Sequence, residues 1–370
     1  MNTTVRWDVL DCSKAPTALF WGFIGLILAV LAHMLQSPPN LASVLRVGSS
    51  NPMLSQIERE LGPVLPSGPV GHDGQLYYMI ARDPFANGST AQVLNTFDQN
   101  TARYRYRRIL LPLVAGGGGL FNPRVTLIGL IAWTILGMGL VAIGIADIAH
   151  SLRLPAAAVL VGIVNLGALL SVMLVTADVL ALGLSVVGVA LALRRRAAAA
   201  MLILALASLT KETYWLVSVG VTAWLWSTRD PKRAILMLAA TAVPLTCWSV
   251  WLRFVIPDRL TNAANVSAPF VGLAAGISAW ATGALDGVQG TFAVYVLGSA
   301  LLVLVNIGRS TILRSLAVPW LLLACVAGFS VWIFPTNAAR AFSILWPLGI
   351  LMLSERASSR FATRRDEAAG

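Results

Sequence analysis

The sequence predicts an all-α fold, a polytopic bundle of about ten membrane-spanning helices. Three observations carry this. Hydrophobic residues make up 57% of the 370 residues and charged ones only 12%, where an ordinary soluble domain holds about 25% charged residues. Mean hydropathy over the chain is +0.76. Apolar segments recur from residue 17 to residue 353, and after residue 120 they are mostly separated by short polar turns; a helix crosses a bilayer with roughly 20 apolar residues. The one long polar region, 36–120, lies between apolar runs and reads as a loop of the same unit, so residues 1–370 read as one integral membrane unit.

The elements follow in order. A mixed polar stretch with Arg6, Asp8, Asp11 and Lys14 precedes the first apolar run, 17–35. The two aspartates are out of place in the basic leader of a signal peptide, so the run reads as a retained first span. A long polar region, 36–120, comes next, and Pro38, Pro39, Pro63, Pro66 and Pro69 make its first half loop-rich. Asp73 opens a short helical pattern that Asp83-Pro84 closes, because the residue before proline disfavours helix. A second helical piece, 100–114, carries Arg103-Tyr104-Arg105-Tyr106-Arg107-Arg108. Alternating basic and aromatic side chains predict an amphipathic helix lying in the membrane interface. Gly116 to Gly119 breaks the helices and lacks the downstream Lys-Ser or Lys-Thr of a phosphate loop. Further spans are expected near 121–146, 155–175, 177–193, 197–210, 213–228, 234–256, 290–308, 315–334 and 340–353. The Gly-, Ala- and Ser-rich stretch 266–284 is expected as a re-entrant or interfacial helix, and 354–370 as a tail.

Charge gives the expected orientation. Arg153, Arg194-Arg195-Arg196, Arg229, Lys232, Arg233, Arg309, Arg314 and the tail arginines fall on the side of Arg6 and Lys14. The opposite short connections carry only Lys211, Arg253, Arg259 and Arg340. Short cytoplasmic loops are enriched in Lys and Arg, while long loops are largely exempt from that bias. Both termini are therefore expected in the cytoplasm, with region 36–120 outside. The net charge of +11 is explained by arginines at helix ends, and nucleic acid is not an expected partner. Cys12, Cys247 and Cys325 are too scattered for a disulfide framework, and His33, His72 and His150 for a metal cluster.

On the outer face the sequence gathers Gly71-His72-Asp73-Gly74-Gln75-Leu76-Tyr77-Tyr78, Thr176-Ala177-Asp178, Thr210-Lys211-Glu212-Thr213 and Asn337 to Arg340. Ionisable groups at a membrane boundary are costly and mostly functional. Asp73 is the candidate general base: a carboxylate with Gly on both sides of the His-Asp pair can be approached closely and take a proton from a hydroxyl. Its competing reading is a helix N-cap. His72, Gln75 and Tyr77 are candidate substrate ligands beside it.

One apolar span, then an outer loop with GHDGQLYYMIARDPF and YRRILLPLVA, then many short helices: this layout resembles the GT-C superfamily of polytopic membrane glycosyltransferases. The motif content of the resemblance lies in 71–85 and 104–115. It implies transfer of a sugar from a polyprenyl-phosphate donor to a hydroxyl of a glycan or lipid acceptor. The reaction would run on the outer face of a bacterial plasma membrane, with Asp73 as base and inversion at the anomeric carbon. Arg108, Lys211 and Arg340 are then candidate ligands of the donor phosphate, Glu212 a group that orients the donor, and Asp178 a contact to sugar hydroxyls. Each has a plainer reading: snorkelling for 103–108, a Lys211–Glu212 ion pair at a helix end, an interfacial anchor at Arg340, a turn residue at Asp178. The chain departs from the superfamily in having Gly74 after Asp73, with the next acid only at Asp83, which reads as a helix end. No cofactor is expected and no metal is indicated. The competing functions are a transporter or flippase of lipid-linked sugars and, third, a scaffold of a cell-envelope complex.

Overall fold

The computed structural model describes residues 15–35, 40–97, 102–257, 265–283, 285–307 and 310–369, with side chains described for 17–359 of these. Arg6, Asp8, Asp11, Cys12, Lys14, Pro38, Pro39, Arg259 and Arg309 lie outside the described residues, as do the start of the predicted 100–114 helix and the side chains of the tail beyond 359. Among the described residues every regular element is helical, and β pairing is limited to two isolated bridges, Val47 with Gly71 and Val266 with Ala327.

Helix α1 (Ala15–Met34) is the first apolar run. The polar region holds a 3-10 turn (Leu41–Leu45) and the short helices α2 (Leu54–Leu61), α3 (Asp73–Arg82), α4 (Thr90–Phe97), α5 (Ala102–Tyr106) and α6 (Leu110–Gly117). Then follow α7 (Pro123–Ser151), α8 (Ala156–Ile163), α9 (Leu166–Met173), α10 (Asp178–Leu193), α11 (Ala197–Thr210), a 3-10 turn (Glu212–Tyr214), α12 (Trp215–Ser227) and α13 (Pro231–Val255). The chain ends with α14 (Val271–Thr282), α15 (Gly287–Asn306), α16 (Thr311–Val326), α17 (Phe329–Trp332), α18 (Pro335–Ala341) and α19 (Leu345–Ala369).

Local chemistry sets many of these ends. Asn122 and Asp230 cap α7 and α13 by accepting backbone N–H groups, and each is followed by proline at the first helical position, where no N–H is needed. Four helix ends close through a left-handed residue and a six-to-one backbone bond. These residues are Arg153, Val175, Arg195 and Arg229, with φ between 51° and 62°. Thr176 N donating to Ser171 O at 2.9 Å and Arg196 N to Leu191 O at 2.9 Å are two of the bonds.

Among the described residues, four helices are long and apolar enough to cross a membrane: 17–34, Pro123–Ser151, Pro231–Val255 and Gly287–Asn306. Two bent pairs bring this to six. One is α8 with α9, which meet at 42°, so the expected span 155–175 is broken at residues 164–165. The other is α18 with α19, which meet at 62°, and α19 runs on through the expected tail. The expected span 315–334 ends early, as α16 stops at Val326 and α17 is a separate turn. The stretch 266–284 carries one 12-residue helix, α14, packed on α16 and α17.

The predicted interfacial helix 100–114 is two helices. α5 and α6 are separated at 107–109, and Tyr106, Arg108 and Ile109 are buried there. Pro112 explains the break. Inside a continuous helix its ring would meet the carbonyl of residue 108, whereas in the first turn of α6 it is tolerated. This segment is packed into the protein, so it is not an amphipathic helix resting on the surface.

The main core is built on α7, which packs against α1, α6, α8 and α10, with α11 on the far side of α10. A smaller core lies under the polar region. Leu76, Met79 and Ile80 of α3 meet Leu94, Ala102 and Tyr106 there, together with Leu252 and Ile256 at the end of α13. Tyr77 and Tyr78 of α3 belong to the main core. α3 is thus wedged between two apolar cores, which fixes the position of its first residue, Asp73.

Candidate functional site

The approach to α3 is held by backbone contacts. His72 N donates to Arg46 O at 2.9 Å, and Gly71 lies beside Val47 at φ 73°. A Cβ on Gly71 would stand 2.4 Å from Gly48 N, and one on Gly74 would stand 2.9 Å from Leu174 O. The glycines around the His-Asp pair therefore admit protein backbone, not a substrate, which corrects the sequence reading. Gln75 is also taken up by this loop: its Oε1 accepts from Gly48 N at 3.0 Å and Asn51 Nδ2 at 2.6 Å, and its Nε2 donates to Val70 O at 2.7 Å. It is a staple for the loop and does not reach the ion cluster as a substrate ligand.

Asp73 does not cap its helix. The N-cap position belongs to His72, whose side chain makes no capping bond. Both Asp73 oxygens face guanidinium groups: Arg105 Nη1 donates to Oδ1 and Arg340 Nη1 to Oδ2, each at 3.1 Å. Burial alone would raise the Asp73 carboxyl; Arg105, Arg340 and Arg108 outweigh it and hold it well below the usual carboxylate range.

Asp178 opens α10 just after the left-handed Val175. It accepts from Thr176 Oγ1 at 2.8 Å and from Lys211 Nζ, and Arg340 Nη1 lies 3.9 Å from its Oδ2. Arg340 thus stands between the two aspartates. Lys211 ends α11 in extended conformation, and Glu212 next to it points elsewhere. Arg108 grips Glu212 with two bonds, Nη2 to Oε1 at 3.0 Å and Nε to Oε2 at 3.1 Å. Lys211 and Glu212 are therefore not paired with each other, and each is bound to a group more than 30 residues away. The snorkelling reading fails for Arg105 and Arg108, which turn inward to carboxylates.

Tyr104 lies beneath this pair. Its hydroxyl accepts from Arg108 Nη2, and the Arg108 guanidinium sits 4.6 Å from its ring centroid. Tyr77 is buried against the same charges. Burial, and then the neighbouring carboxylates against the opposing arginines, push its phenol up to about 12. His72 sits exposed at the rim; the packing around its ring, then the Arg340 charge, lower its imidazole pKa.

Four cations (Arg105, Arg108, Lys211, Arg340) face three carboxylates (Asp73, Asp178, Glu212). The cluster holds one surplus positive charge, and Arg340 Nε is a buried donor with no acceptor. A surplus of buried guanidinium and ammonium groups suits the site to an anionic ligand. Among the described residues, no three His, Cys, Asp or Glu side chains gather as a metal-binding group.

Sequence reading placed Asp73, Tyr77, Arg108, Asp178, Lys211, Glu212 and Arg340, and these come together. It missed Arg105 and Tyr104. In the run Arg103 to Arg108, Arg108 stands out by its place before the apolar Ile109, whereas nothing in the alternation distinguishes Arg105 from Arg103. Comparison of the chain with protein-family models, curated proteins and solved structures finds no match.

Proposed function

We propose that this chain is a GT-C-like membrane glycosyltransferase. It moves a hexosyl or pentosyl unit from a polyprenyl-phosphate donor to the hydroxyl of a glycan or lipid acceptor. The observation that supports it best is Asp73 held between Arg105 and Arg340 at 3.1 Å each, in a boundary cluster with more cations than anions.

On this reading the clamp of Arg105 and Arg340 on Asp73 must loosen before Asp73 can act. A carboxylate with so low a pKa is a weak base. The donor phosphate draws Arg340 and Arg105 onto itself and leaves Asp73 free to accept a proton. Paired donors on guanidinium suit phosphate oxygens. The acceptor oxygen attacks the anomeric carbon as its proton passes to Asp73. The bond from that carbon to the phosphate oxygen breaks, and the electron pair leaves with the polyprenyl phosphate. One displacement inverts the anomeric centre. Arg108 and Lys211 stabilise the charge gathering on the phosphate. Glu212 holds Arg108 in place, and Tyr77 and Asp178 face the sugar.

The ten apolar helical segments are read as ten passes, with the short helices locally thinning the bilayer. The arginine-rich turns then lie in the cytoplasm with both termini, and the ion cluster lies on the outer face of a bacterial plasma membrane. The Arg194–Asp147 ion pair sits at the opposite end of the bundle from Asp73.

One observation favours a second reading, a transporter or flippase of lipid-linked sugars. Two broken helices, α8/α9 and α18/α19, touch each other at their breaks, and discontinuous helices are a mark of transporters. A purified sample incubated with a panel of polyprenyl-phosphate sugars separates the two. Hydrolysis or transfer supports the enzyme. Movement of intact donor across vesicles, without any product, supports the transporter and overturns the enzyme.

A further inference from the structure

Below the ion cluster lies a second polar network that the proposed reaction does not use. Its centre is Asn165, 0% exposed, in the extended link between α8 and α9. Asn165 Oδ1 accepts from Ala168 N at 2.9 Å, which starts α9, and from Tyr295 Oη of α15 at 2.7 Å. Its Nδ2 donates to Ser343 O at 2.8 Å, in the kink between α18 and α19. Ser343 Oγ lies 3.1 Å from Tyr214 Oη, in the 3-10 turn that begins with Glu212.

The sequence explains why Ser343 needs an outside donor. Ser343 lies in the turn before α19, and a bond to its carbonyl from four residues on is barred because residue 347 is proline, which has no N–H. Asn165 fills the gap across 178 residues of chain. The same two half-helices touch directly: a Cβ on Gly167 would stand 2.1 Å from Ala339 O, so only glycine lets α9 come this close to α18. Ala339 precedes Arg340. From α9 the chain turns through Val175 into Asp178. Thus one carboxamide links the elements that present Arg340 and Asp178, and through Ser343 the turn that presents Glu212.

We propose that Asn165 is a positioning residue that bridges the α8/α9 break to the α18/α19 kink and so holds Arg340 between Asp73 and Asp178. The role rests on the donor-phosphate reading of the site. A buried polar network with every member bonded fixes geometry more than it adds stability. Asn165 touches no reacting group; it acts through the placement of Arg340.

The test uses the full chain with Asn165→Ser. Serine keeps an N-cap for α9 but is too short to bridge to Ser343. Tyr295→Phe is the control that removes one bond to Asn165 and leaves the bridge. Polyprenyl monophosphate in detergent is the probe, read by tryptophan fluorescence. Asn165→Ser is expected to raise its Kd about tenfold, the scale of one charged contact, while Tyr295→Phe changes it less than about threefold. In an Arg340→Ala background, Asn165→Ser is expected to add nothing further. An equal fold-change in both backgrounds means independent, merely structural action and overturns the proposal. If the wild type does not bind the probe, the donor-phosphate reading fails, and amide hydrogen exchange decides the positioning role. Faster exchange at 338–345 in Asn165→Ser, but not in Tyr295→Phe, supports it, and unchanged exchange there overturns it.

Discussion

At the level of single residues, the cluster contains two kinds of ion pair with different consequences. Lys211 and Asp178 are buried, with side chains 8% and 7% exposed. Removing one partner of such a pair costs about 3–5 kcal/mol because the other charge is left without compensation. Arg340 near Asp178 offsets part of this, so Lys211→Met is expected to lower stability by about 2–3 kcal/mol, and adding Asp178→Asn should return most of the loss. Thermal unfolding of the single and double variants in detergent checks both. Asp73 is more accessible, with 21% of its side chain exposed. Its folded pKa lies below its unfolded value of about 4, so its pairing stabilises the fold fully above that pH and is lost as pH falls through the range below it. The stability difference between wild type and Asp73→Asn should therefore shrink by about 1 kcal/mol between pH 7 and pH 3. Arg105→Gln should raise the Asp73 pKa and move the acid limb of the kcat/KM profile to higher pH. An unmoved limb would mean that Arg105 does not control Asp73.

At the level of elements, the glycines and prolines carry most of the geometry. Gly74 lets the start of α3 lie against Leu174 O. Gly74→Ala should shift that helix start by a few tenths of an ångström and cost about 1–3 kcal/mol by overpacking. It should also reduce the transfer rate more than thermal stability suggests, since small misplacements of a reacting group are costly. Parallel rate and unfolding measurements separate the two effects. Helix existence was legible from the sequence: all ten apolar runs are helical, and α3 begins at Asp73 and ends before Asp83 as its residues require. Breaks were less legible. Pro112 announced the division between α5 and α6, but the periodicity of Arg and Tyr around it was read as one surface helix. The break at 164–165 has neither Gly nor Pro at the break itself, only Gly162 and Gly167 beside it, and the bond that holds it, to Ser343, is long-range.

For the whole molecule, composition was enough to predict apolar helices of membrane-spanning kind, and the charge asymmetry grouped residues that the fold does bring together. Arg105 stayed hidden because its partner, Asp73, is 32 residues away and the contact exists only after α3 and α5 pack on the same small core. Gln75 misled in the opposite sense: next to a candidate base, it looks like a substrate ligand, yet its hydrogen bonds all go to the loop 48–70. The proposed orientation is tested by single cysteines in a variant lacking Cys12, Cys247 and Cys325. A cysteine at Ser67 should react with an impermeant thiol reagent in intact cells, and one at Ser227 only after permeabilisation. The reverse pattern would place the ion cluster in the cytoplasm.

The central claim is that Asp73 takes the proton of the acceptor hydroxyl. It is tested most directly by following sugar transfer from a polyprenyl-phosphate donor with purified wild type and Asp73→Asn under single-turnover conditions. The account predicts that donor still binds the variant while the transfer rate falls by about 10²–10⁴-fold, the usual contribution of a general base. Transfer by Asp73→Asn at the wild-type rate would contradict it.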